Sequence, residues 1–282
     1  MNTNNSKHQL KRVDLNVAYA CNIKCRGCIS LSDFKRVGVV SNTEIDAWLA
    51  YWSTGLDIDL IALFGGEPLI NSELIKICHS IRKYYPTSVI KLITNGYLLD
   101  NIDPANWFEL GLFEMQISIH RADHELLINK KLKKILEFKK GWNVHTTGLN
   151  QHQQIMFTNG NVKIYKSKFK DFVTPYNFDN KQRLIPFTSD PVKAHAICGS
   201  PDSPVLYKGA LYKCPPVANI IDYVGKNWNN YASCQSLDQL GEFIQQVGRP
   251  ESVCAQCPER TDQHSYDHFN LENVYVKQKN IS

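Results

Sequence analysis

The sequence has no apolar run long enough to cross a bilayer, and its polar first twelve residues lack the apolar core of a signal peptide. We therefore expect a cytoplasmic protein that makes no membrane contact. The chain also has no internal repeat and no low-complexity tract, so its 282 residues are predicted to form one large core with at most a small appendage. Disulfides are disfavoured in that compartment, which leaves metal binding to explain nine cysteines.

The charge distribution gives little indication of a polymeric partner. The net charge of +5 counts every cysteine as a neutral thiol, so it changes if several cysteines bind metal as thiolates. Basic residues cluster in one segment, but aromatic residues do not interleave with them as they do in single-strand nucleic-acid platforms. This segment contains Lys130, Lys131, Lys133, Lys134, Lys139 and Lys140. We interpret it as the solvated face of a helix and expect no nucleic-acid partner.

Strand and helix patterns alternate through the first 150 residues. Ser41 and Glu44 form a capping box at the start of the first helix. Because polar motifs recur at the carboxyl ends of the strands, the alternation predicts an α/β fold built as a partial (β/α)6 TIM-like barrel. The predicted strands are residues 13–20, 58–64, 89–93, 113–119 and 144–147.

The pattern changes twice after residue 150. Residues 154–165 are predicted to form a hairpin, and from about residue 191 cysteine, proline and glycine become frequent. We therefore divide the chain into four parts. These are a flexible N-terminal arm at 1–12, a barrel at 13–190, a small hairpin-plus-helix module at 191–260 and a C-terminal tail at 261–282.

Three closely spaced cysteines, Cys21, Cys25 and Cys28, follow the first predicted strand. Three thiolates hold three corners of a cubane iron–sulfur cluster and leave the fourth iron open to a small molecule. A structural zinc site needs four ligands, and a fourth is absent nearby. A redox-active pair formed by Cys25 and Cys28 is the other alternative, but it leaves Cys21 unexplained.

This spacing resembles the Cys-x3-Cys-x2-Cys signature of the radical S-adenosylmethionine (radical SAM) superfamily. Gly65, Gly66, Glu67 and Pro68, after the second predicted strand, resemble the glycine-rich motif of that family. The resemblance implies that this motif contacts the amino group of the S-adenosylmethionine methionine. Glycine allows a close backbone approach, and a carboxylate accepts hydrogen bonds from an ammonium group. An ordinary strand-to-helix turn is the alternative for these four residues.

Two further strand ends are expected to contribute to the same cofactor site. Ser118 and His120 occupy the place where family members contact the ribose or carboxylate, and Thr94 and Asn95 end the neighbouring strand. A loop-capping role for Thr94 and a structural role for His120 are alternatives. The chain departs from the family at Gly27, because family members usually have an aromatic residue there, near the adenine.

A second set of cysteines lies in the C-terminal module. Cys198 and Cys214 bracket a predicted hairpin turn at Gly209, and Cys254 and Cys257 form a Cys-x2-Cys pair after a predicted helix. Four thiolates close a site completely, and the residues alone allow either zinc or a four-iron cluster.

The arrangement is similar to the twitch module of radical SAM enzymes, a shortened SPASM module, which carries one auxiliary 4Fe-4S cluster. The resemblance therefore implies two 4Fe-4S clusters, one binding S-adenosylmethionine and one auxiliary. Two cysteines remain. Cys78 fits a helical core position, and Cys234 is an alternative auxiliary ligand.

The implied activity is reductive cleavage of S-adenosylmethionine to a 5′-deoxyadenosyl radical, followed by hydrogen abstraction from substrate. With an auxiliary electron acceptor, the expected outcome is oxidation of a small polar substrate such as a sugar, a cyclitol or a nucleotide-like molecule. A flavodoxin or ferredoxin is the expected reductant. Maturation of a ribosomally made peptide is an alternative, which we disfavour because about a dozen residues precede the first predicted strand. A non-catalytic iron–sulfur or zinc protein is an alternative from another class.

A catalytic base is not identified by the sequence. Ketone formation requires one, and the candidates are Arg121, His120, His145 and His152.

Overall fold

The computed structural model describes residues 7–25, 27–120, 122–147, 154–168, 174–180, 183–225 and 231–260. The strands in these ranges are β1 His8–Leu10, β2 Val13–Ala18, β3 Leu56–Ile58, β4 Leu60–Gly65, β5 Val89–Thr94, β6 Phe113–Ile119, β7 Asn143–Thr147, β8 Gln154–Asn159, β9 Val162–Lys168, β10 Asn177–Phe178, β11 Leu184–Ile185, β12 Val205–Tyr207 and β13 Ala210–Tyr212. The helices are α1 Asn42–Trp52, α2 Leu74–Tyr84, α3 Pro104–Glu109, α4 Ala122–Phe138, α5 Pro191–Ala196, α6 Pro215–Val224 and α7 Leu240–Gln246.

One large sheet organises these elements. Its strand order is β13-β12-β2-β4-β5-β6-β9-β8-β7, and the six strands from β12 to β9 run parallel to one another. The predicted α/β class with a parallel sheet is confirmed. The sheet is open, because β13 and β7 end it on either side, which matches a partial barrel rather than a closed one.

Alternation along the strands places one face of the sheet against the helices. Val13, Leu15 and Val17 of β2 are buried in the main core, together with Leu49 and Trp52 of α1. The predicted capping box starts α1: the backbone N–H of Glu44 donates to Ser41 Oγ at 3.3 Å, and the Ser41 N–H donates to the Glu44 carboxylate at 3.1 Å. Because β2, β4, β5 and β6 are parallel, the helix between two successive strands returns the chain to the same edge of the sheet.

Two short strands lie where the sequence suggested something else. In the expected flexible arm, β1 pairs in parallel with β3, so residues 8–10 are an ordered strand. In the C-terminal module, β12 pairs in parallel with β2 and extends the barrel sheet. Three-residue strands are too short to produce an alternation that can be read from sequence, which explains both differences.

The segment after α4 also differs in part. The predicted hairpin of β8 and β9 is confirmed, and β9 continues the parallel sheet beside β6. The fifth predicted strand, β7, instead pairs antiparallel with β8 at the sheet edge. Among the helices in the described ranges, none combines the length and apolar character needed to span a membrane.

Candidate functional site

The first three cysteines lie in one loop directly after β2. Cys25 is buried, Cys21 and Cys28 are half-buried, and the three pack together against Ile23 and Tyr97. Backbone N–H groups of Ile23 and of two serines that follow Cys28 donate to the sulfurs. Such donors stabilise thiolate and cluster sulfurs, so the loop is built to hold negative sulfur atoms.

Burial raises the pKa of these thiols. The pKa of Cys21 rises to about 12, mainly through burial and then through the nearby Glu67 carboxylate, and the pKa values of Cys25 and Cys28 also rise, mainly through burial. Three thiols that lie close together in a partly buried loop ionise readily only when a cation compensates them. The donor set therefore fits an iron–sulfur cluster, with Cys21, Cys25 and Cys28 as its predicted ligands.

Gly65 and Gly66 hold the cysteine loop through their backbone. The Gly66 N–H donates to the carbonyl of Ala18 at 2.8 Å, and the Ser30 hydroxyl donates to the Gly65 carbonyl at 2.7 Å. A Cβ atom on either glycine would overlap the backbone around Ala18 or Ala20. These two positions therefore require glycine in order to bring the end of β4 against the chain entering the loop.

Glu67 is buried and its carboxylate is turned into the protein. Its Oε1 accepts from the Leu69 N–H at 3.0 Å and from the Thr94 hydroxyl at 2.6 Å, while its Oε2 accepts from the Asn95 N–H at 2.8 Å. Burial raises its pKa to about 7, against the lowering effect of these three bonds. The side chain thus joins the ends of β4 and β5, and Pro68 starts the 3-10 turn that follows it.

The structure places the other predicted cofactor residues at the same carboxyl edge. Thr94 and Asn95 end β5, Ser118 is buried near the end of β6, and His120 follows that strand. Asn95 is closest to the cysteines: its Nδ2 donates to Cys21 Sγ at 3.8 Å and to Asn22 Oδ1 at 2.8 Å. The Thr94 hydroxyl accepts from the Gly96 N–H at 3.0 Å, the pattern of a loop cap.

His120 is neutral at physiological pH. Its pKa falls to about 4, mainly because of burial and then because of the neighbouring His124. His145, another candidate base, lies in the edge strand β7 and pairs with the Thr158 hydroxyl at 3.2 Å, away from the cysteine loop. Arg121 and His152 lie outside the described residues.

Three residues that sequence reasoning did not single out support the cysteine loop. The Tyr176 hydroxyl accepts from the Gly27 N–H at 3.0 Å and donates to the carboxylate of Asp33. Thr174 Oγ1 lies 2.5 Å from the position of a Cβ built on Gly27, whose φ is +73°. The segment near residue 175 therefore occupies the space into which a side chain at position 27 would project. No spacing pattern could have indicated these contacts.

The four C-terminal cysteines line one cavity. These cysteines come from three segments of the chain. Cys198 follows α5, Cys214 lies between β13 and α6, and the pair Cys254 and Cys257 follows α7. Burial raises the pKa of Cys198, Cys214 and Cys257, the last to about 12, and the thiols further raise one another's pKa values. The cavity is lined by Ala194, His195, Cys198, Ser200, Pro201, Lys213, Cys214, Val217, Val253, Cys254 and Cys257.

Backbone donors again face these sulfurs. The Ser200 N–H donates to Cys198 Sγ at 3.3 Å, and the Glu251 N–H donates to Cys254 Sγ at 3.5 Å. Cys214 precedes α6, whose N-terminal dipole favours a thiolate. Among the described residues, no three His, Cys, Asp or Glu side chains converge closely enough for a single metal ion. A cubane cluster binds each cysteine through a different iron, so its ligands lie farther apart than those of one ion.

The two remaining cysteines lie elsewhere. Cys78 is fully buried in the main core, as expected for a small apolar residue. Cys234 lines a different cavity, with Tyr231 and Glu251, and its thiol donates to the Ser236 carbonyl at 3.4 Å.

Comparison with known proteins gives a family match for the first part of the chain. Residues 15–148 match the model of the Radical SAM superfamily. The match includes the cysteine loop and the glycine-rich motif, and a domain of this kind implies S-adenosylmethionine and a 4Fe-4S cluster as cofactors.

Among curated proteins, the chain is similar to the GTP 3′,8-cyclase of Microcystis aeruginosa, with 29% identity over 41% of this chain and 36% of that protein. It is 30% identical to the GTP 3′,8-cyclase of Tolumonas auensis over 44% of this chain and 38% of that protein. The chain thus spans little more than a third of the length of these relatives.

Solved structures give likenesses at lower identity. BtrN in complex with AdoMet and 2-DOIA shares 15% identity, with a TM-score of 0.47 over 94% of this chain and all of that one. SuiB of Streptococcus suis bound to the precursor peptide SuiA shares 12% identity, with a TM-score of 0.38 over 46% of this chain and 30% of that one.

Proposed function

We propose that this chain is a radical SAM oxidoreductase with two 4Fe-4S clusters, acting on a small polar substrate such as a sugar, a cyclitol or a nucleotide-like molecule. The observation that carries the proposal is the shared cavity of Cys198, Cys214, Cys254 and Cys257. A second cluster gives a radical enzyme an electron acceptor, and such an acceptor is needed for net oxidation of a substrate. When bound, the two clusters and S-adenosylmethionine would supply hydrogen abstraction and then one-electron oxidation.

The protein's own residues prepare the first site for this chemistry. Cys21, Cys25 and Cys28 would hold the cluster by three irons and leave one iron for the cofactor. Gly65 and Gly66 bring the backbone against the loop, since no Cβ separates them from the chain at Ala18 and Ala20. That close approach lets main-chain groups contact the methionine part of the cofactor.

Glu67 acts on the cofactor mainly by ordering the site. Three of the roughly four acceptor positions of its carboxylate are used by Leu69, Thr94 and Asn95. We propose that one position remains for the cofactor ammonium, whose charge would favour the ionised carboxylate. Asn95, held by Glu67 through its N–H and reaching Cys21 with its amide, would align the cluster loop with the cofactor.

Ser118 and His120 are proposed to contact the ribose or carboxylate of the cofactor. Both lie at the carboxyl end of β6, next to Thr94 and Asn95 across the parallel pairing of β5 and β6. Because His120 is neutral at physiological pH, it can donate one hydrogen bond and accept another there.

A second candidate function follows from the curated relatives. Their name, GTP 3′,8-cyclase, makes GTP a substrate worth testing. We rank it second because these matches cover less than half of this chain and little more than a third of each relative.

The first experiment is anaerobic reconstitution followed by reduction with dithionite in the presence of S-adenosylmethionine. We expect about eight iron atoms per chain and release of 5′-deoxyadenosine. The triple variant Cys214→Ala/Cys254→Ala/Cys257→Ala should keep about four irons and retain cofactor cleavage. Cys234→Ala is the matched control, because this cysteine is buried nearby but lines another cavity, and it should keep all eight.

Product formation then separates the candidates. Oxidised product from a polyol or nucleotide-like substrate, lost in the triple variant, supports the oxidoreductase. A cyclised product from GTP supports the second candidate. Absence of 5′-deoxyadenosine from protein with an intact first cluster would exclude both activities and favour a non-catalytic iron–sulfur protein.

A further inference from the structure

A buried lysine faces the four-cysteine cavity and has no part in the chemistry proposed above. The side chain of Lys213 is only 5% exposed and lines the cavity beside Cys198 and Cys214. Its ammonium donates to the Arg249 carbonyl at 2.5 Å and to the Glu251 carboxylate at 2.7 Å. Burying a charged side chain is costly unless it is paired, so this position needs a reason beyond packing.

The two members of this ion pair line different cavities. Lys213 is among the residues that line the cavity of the four cysteines, whereas Glu251 is one-quarter exposed and lines the separate cavity that contains Tyr231 and Cys234. Charges buried in protein act over several ångströms with little screening. Lys213 therefore contributes a positive charge to the wall of the cysteine cavity, whereas the Glu251 side chain lines the other cavity.

The backbone of Lys213 is held next to the cysteine cavity. Lys213 immediately precedes Cys214, and its own N–H donates to the Tyr231 hydroxyl at 2.6 Å. The N-terminus of the ten-residue helix α6 adds a second source of positive potential at Cys214. The two features act in the same direction on any charge at this site.

We propose that Lys213 sets the reduction potential of the auxiliary cluster, raising it so that the cluster accepts an electron from a substrate radical. The inference rests on the proposed function, because it requires a cluster in this cavity. Reduction adds one electron to the cluster and moves no atom, so the gain in negative charge is what the ammonium stabilises. The substrate radical loses this electron in the same step and releases one proton to solvent, and the oxidised form of a one-electron carrier protein of the flavodoxin or ferredoxin class removes the electron from the cluster afterwards.

The test is an anaerobic redox titration of the full-length protein, followed by electron paramagnetic resonance. S-adenosylmethionine alters only the signal of the first cluster, which separates the two. Lys213→Gln should lower the auxiliary potential by at least about 59 mV, a tenfold change in a one-electron equilibrium constant. Lys213→Arg, which keeps the charge, should stay near the parent value. Lys193→Gln on α5 is the control, since it removes an equal charge from an exposed side chain.

Glu251→Gln gives an independent test with the opposite sign. It leaves the ammonium uncompensated and should raise the auxiliary potential, and it decides the matter if Lys213→Gln does not fold. Unchanged potentials in a protein that holds both clusters would overturn the role of Lys213 and leave the proposed function intact. About four irons and no second signal in the parent protein would instead overturn the proposed function, and the inference with it.

Discussion

Thr174 Oγ1 lies 2.5 Å from the place where a Cβ on Gly27 would stand. Gly27 stands where members of the radical SAM superfamily usually have an aromatic residue, and the contact shows that Thr174 occupies the space a side chain would need there. The segment that contains Thr174 and Tyr176 takes the space beside the cysteine loop, and Tyr176 accepts a hydrogen bond from the Gly27 N–H. We therefore expect residues other than residue 27 to contact the adenine of S-adenosylmethionine.

Gly27→Ala should destabilise the protein for two reasons. The φ of +73° disfavours any residue with a Cβ by about 1 kcal/mol, and the contact with Thr174 adds a steric cost. We expect a total loss of about 2–4 kcal/mol in the free energy of unfolding, measured by urea denaturation, and reduced iron retention by the first site.

The matched control for this substitution is Gly160→Ala. Gly160 has a φ of +57°, and a Cβ placed there would have no atom within 4 Å, so only the backbone cost of about 1 kcal/mol should be measured. Thr174→Ala combined with Gly27→Ala should recover part of the loss, because the hydroxyl is the closest atom. Equal losses at Gly27 and Gly160 would show that the Thr174 contact has no energetic weight.

Glu67→Gln should destabilise the chain although it changes little in shape. Both carboxylate oxygens of Glu67 accept hydrogen bonds, from Leu69 and Thr94 at Oε1 and from Asn95 at Oε2. A glutamine amide replaces one of these oxygens with an NH2 group, so at least one donor of the protein then faces another donor. An unsatisfied buried group costs about 1–3 kcal/mol, and we expect a loss of that size in urea denaturation at pH 8. Glu73→Gln, at an exposed side chain that accepts from Asn42, should cost much less.

The same carboxyl predicts a pH dependence. The pKa of Glu67 is raised to about 7 in the folded protein, above its ordinary value, so the folded state binds the proton more tightly than the unfolded state. Its contribution to stability is fully present below about pH 4 and is lost as pH rises to about 7. The stability difference between parent and Glu67→Gln, measured by urea denaturation at several pH values, should change across this window. A constant difference from pH 4 to pH 8 would contradict the raised pKa.

Much of the fold was predictable because the first strands are long and each ends in a polar turn. The strands β5 and β6 are six and seven residues long, and apolar residues alternate with polar ones along β6. The parallel pairing of β12 with β2 was not predictable, since β12 has three residues and its partner lies about 190 positions earlier. Short strands that pair over such distances leave no periodic pattern.

Some residues of the candidate site were predictable from the sequence, and others were not. Spacing and residue type were enough to pick out Cys21, Cys25 and Cys28, which pack together, and the four cysteines that share a cavity. The supporting residues depend on tertiary contacts alone: Tyr176 meets Gly27 across 149 positions. The inward turn of the Glu67 carboxylate was also missed, because it depends on where the end of β5 lies.

Arg36 connects the segment after the cysteine loop to the C-terminal part of the chain. Its guanidinium donates to the Tyr207 hydroxyl at 2.6 Å, to Asp222 at 2.7 Å and to the amide oxygen of Asn219. It also lies over the Tyr19 ring, 4.9 Å from the centroid. Arg36→Met should lower the free energy of unfolding by about 1–3 kcal/mol, since three acceptors lose a charged donor.

Arg36→Lys should recover little of that loss, because one ammonium cannot reproduce a planar group that serves three acceptors at once. The control is Arg183→Met, which removes an ion pair with Asp179. Because the Arg183 side chain is 72% exposed, this substitution should change the free energy of unfolding by less than about 1 kcal/mol. Asp222 sits on α6, the helix that begins just after Cys214, so loosening Arg36 should also reduce iron retention at the C-terminal cysteines. Thermal unfolding together with iron analysis measures both effects, and full recovery by Arg36→Lys would show that charge alone, and not the shape of the guanidinium, holds the two segments together.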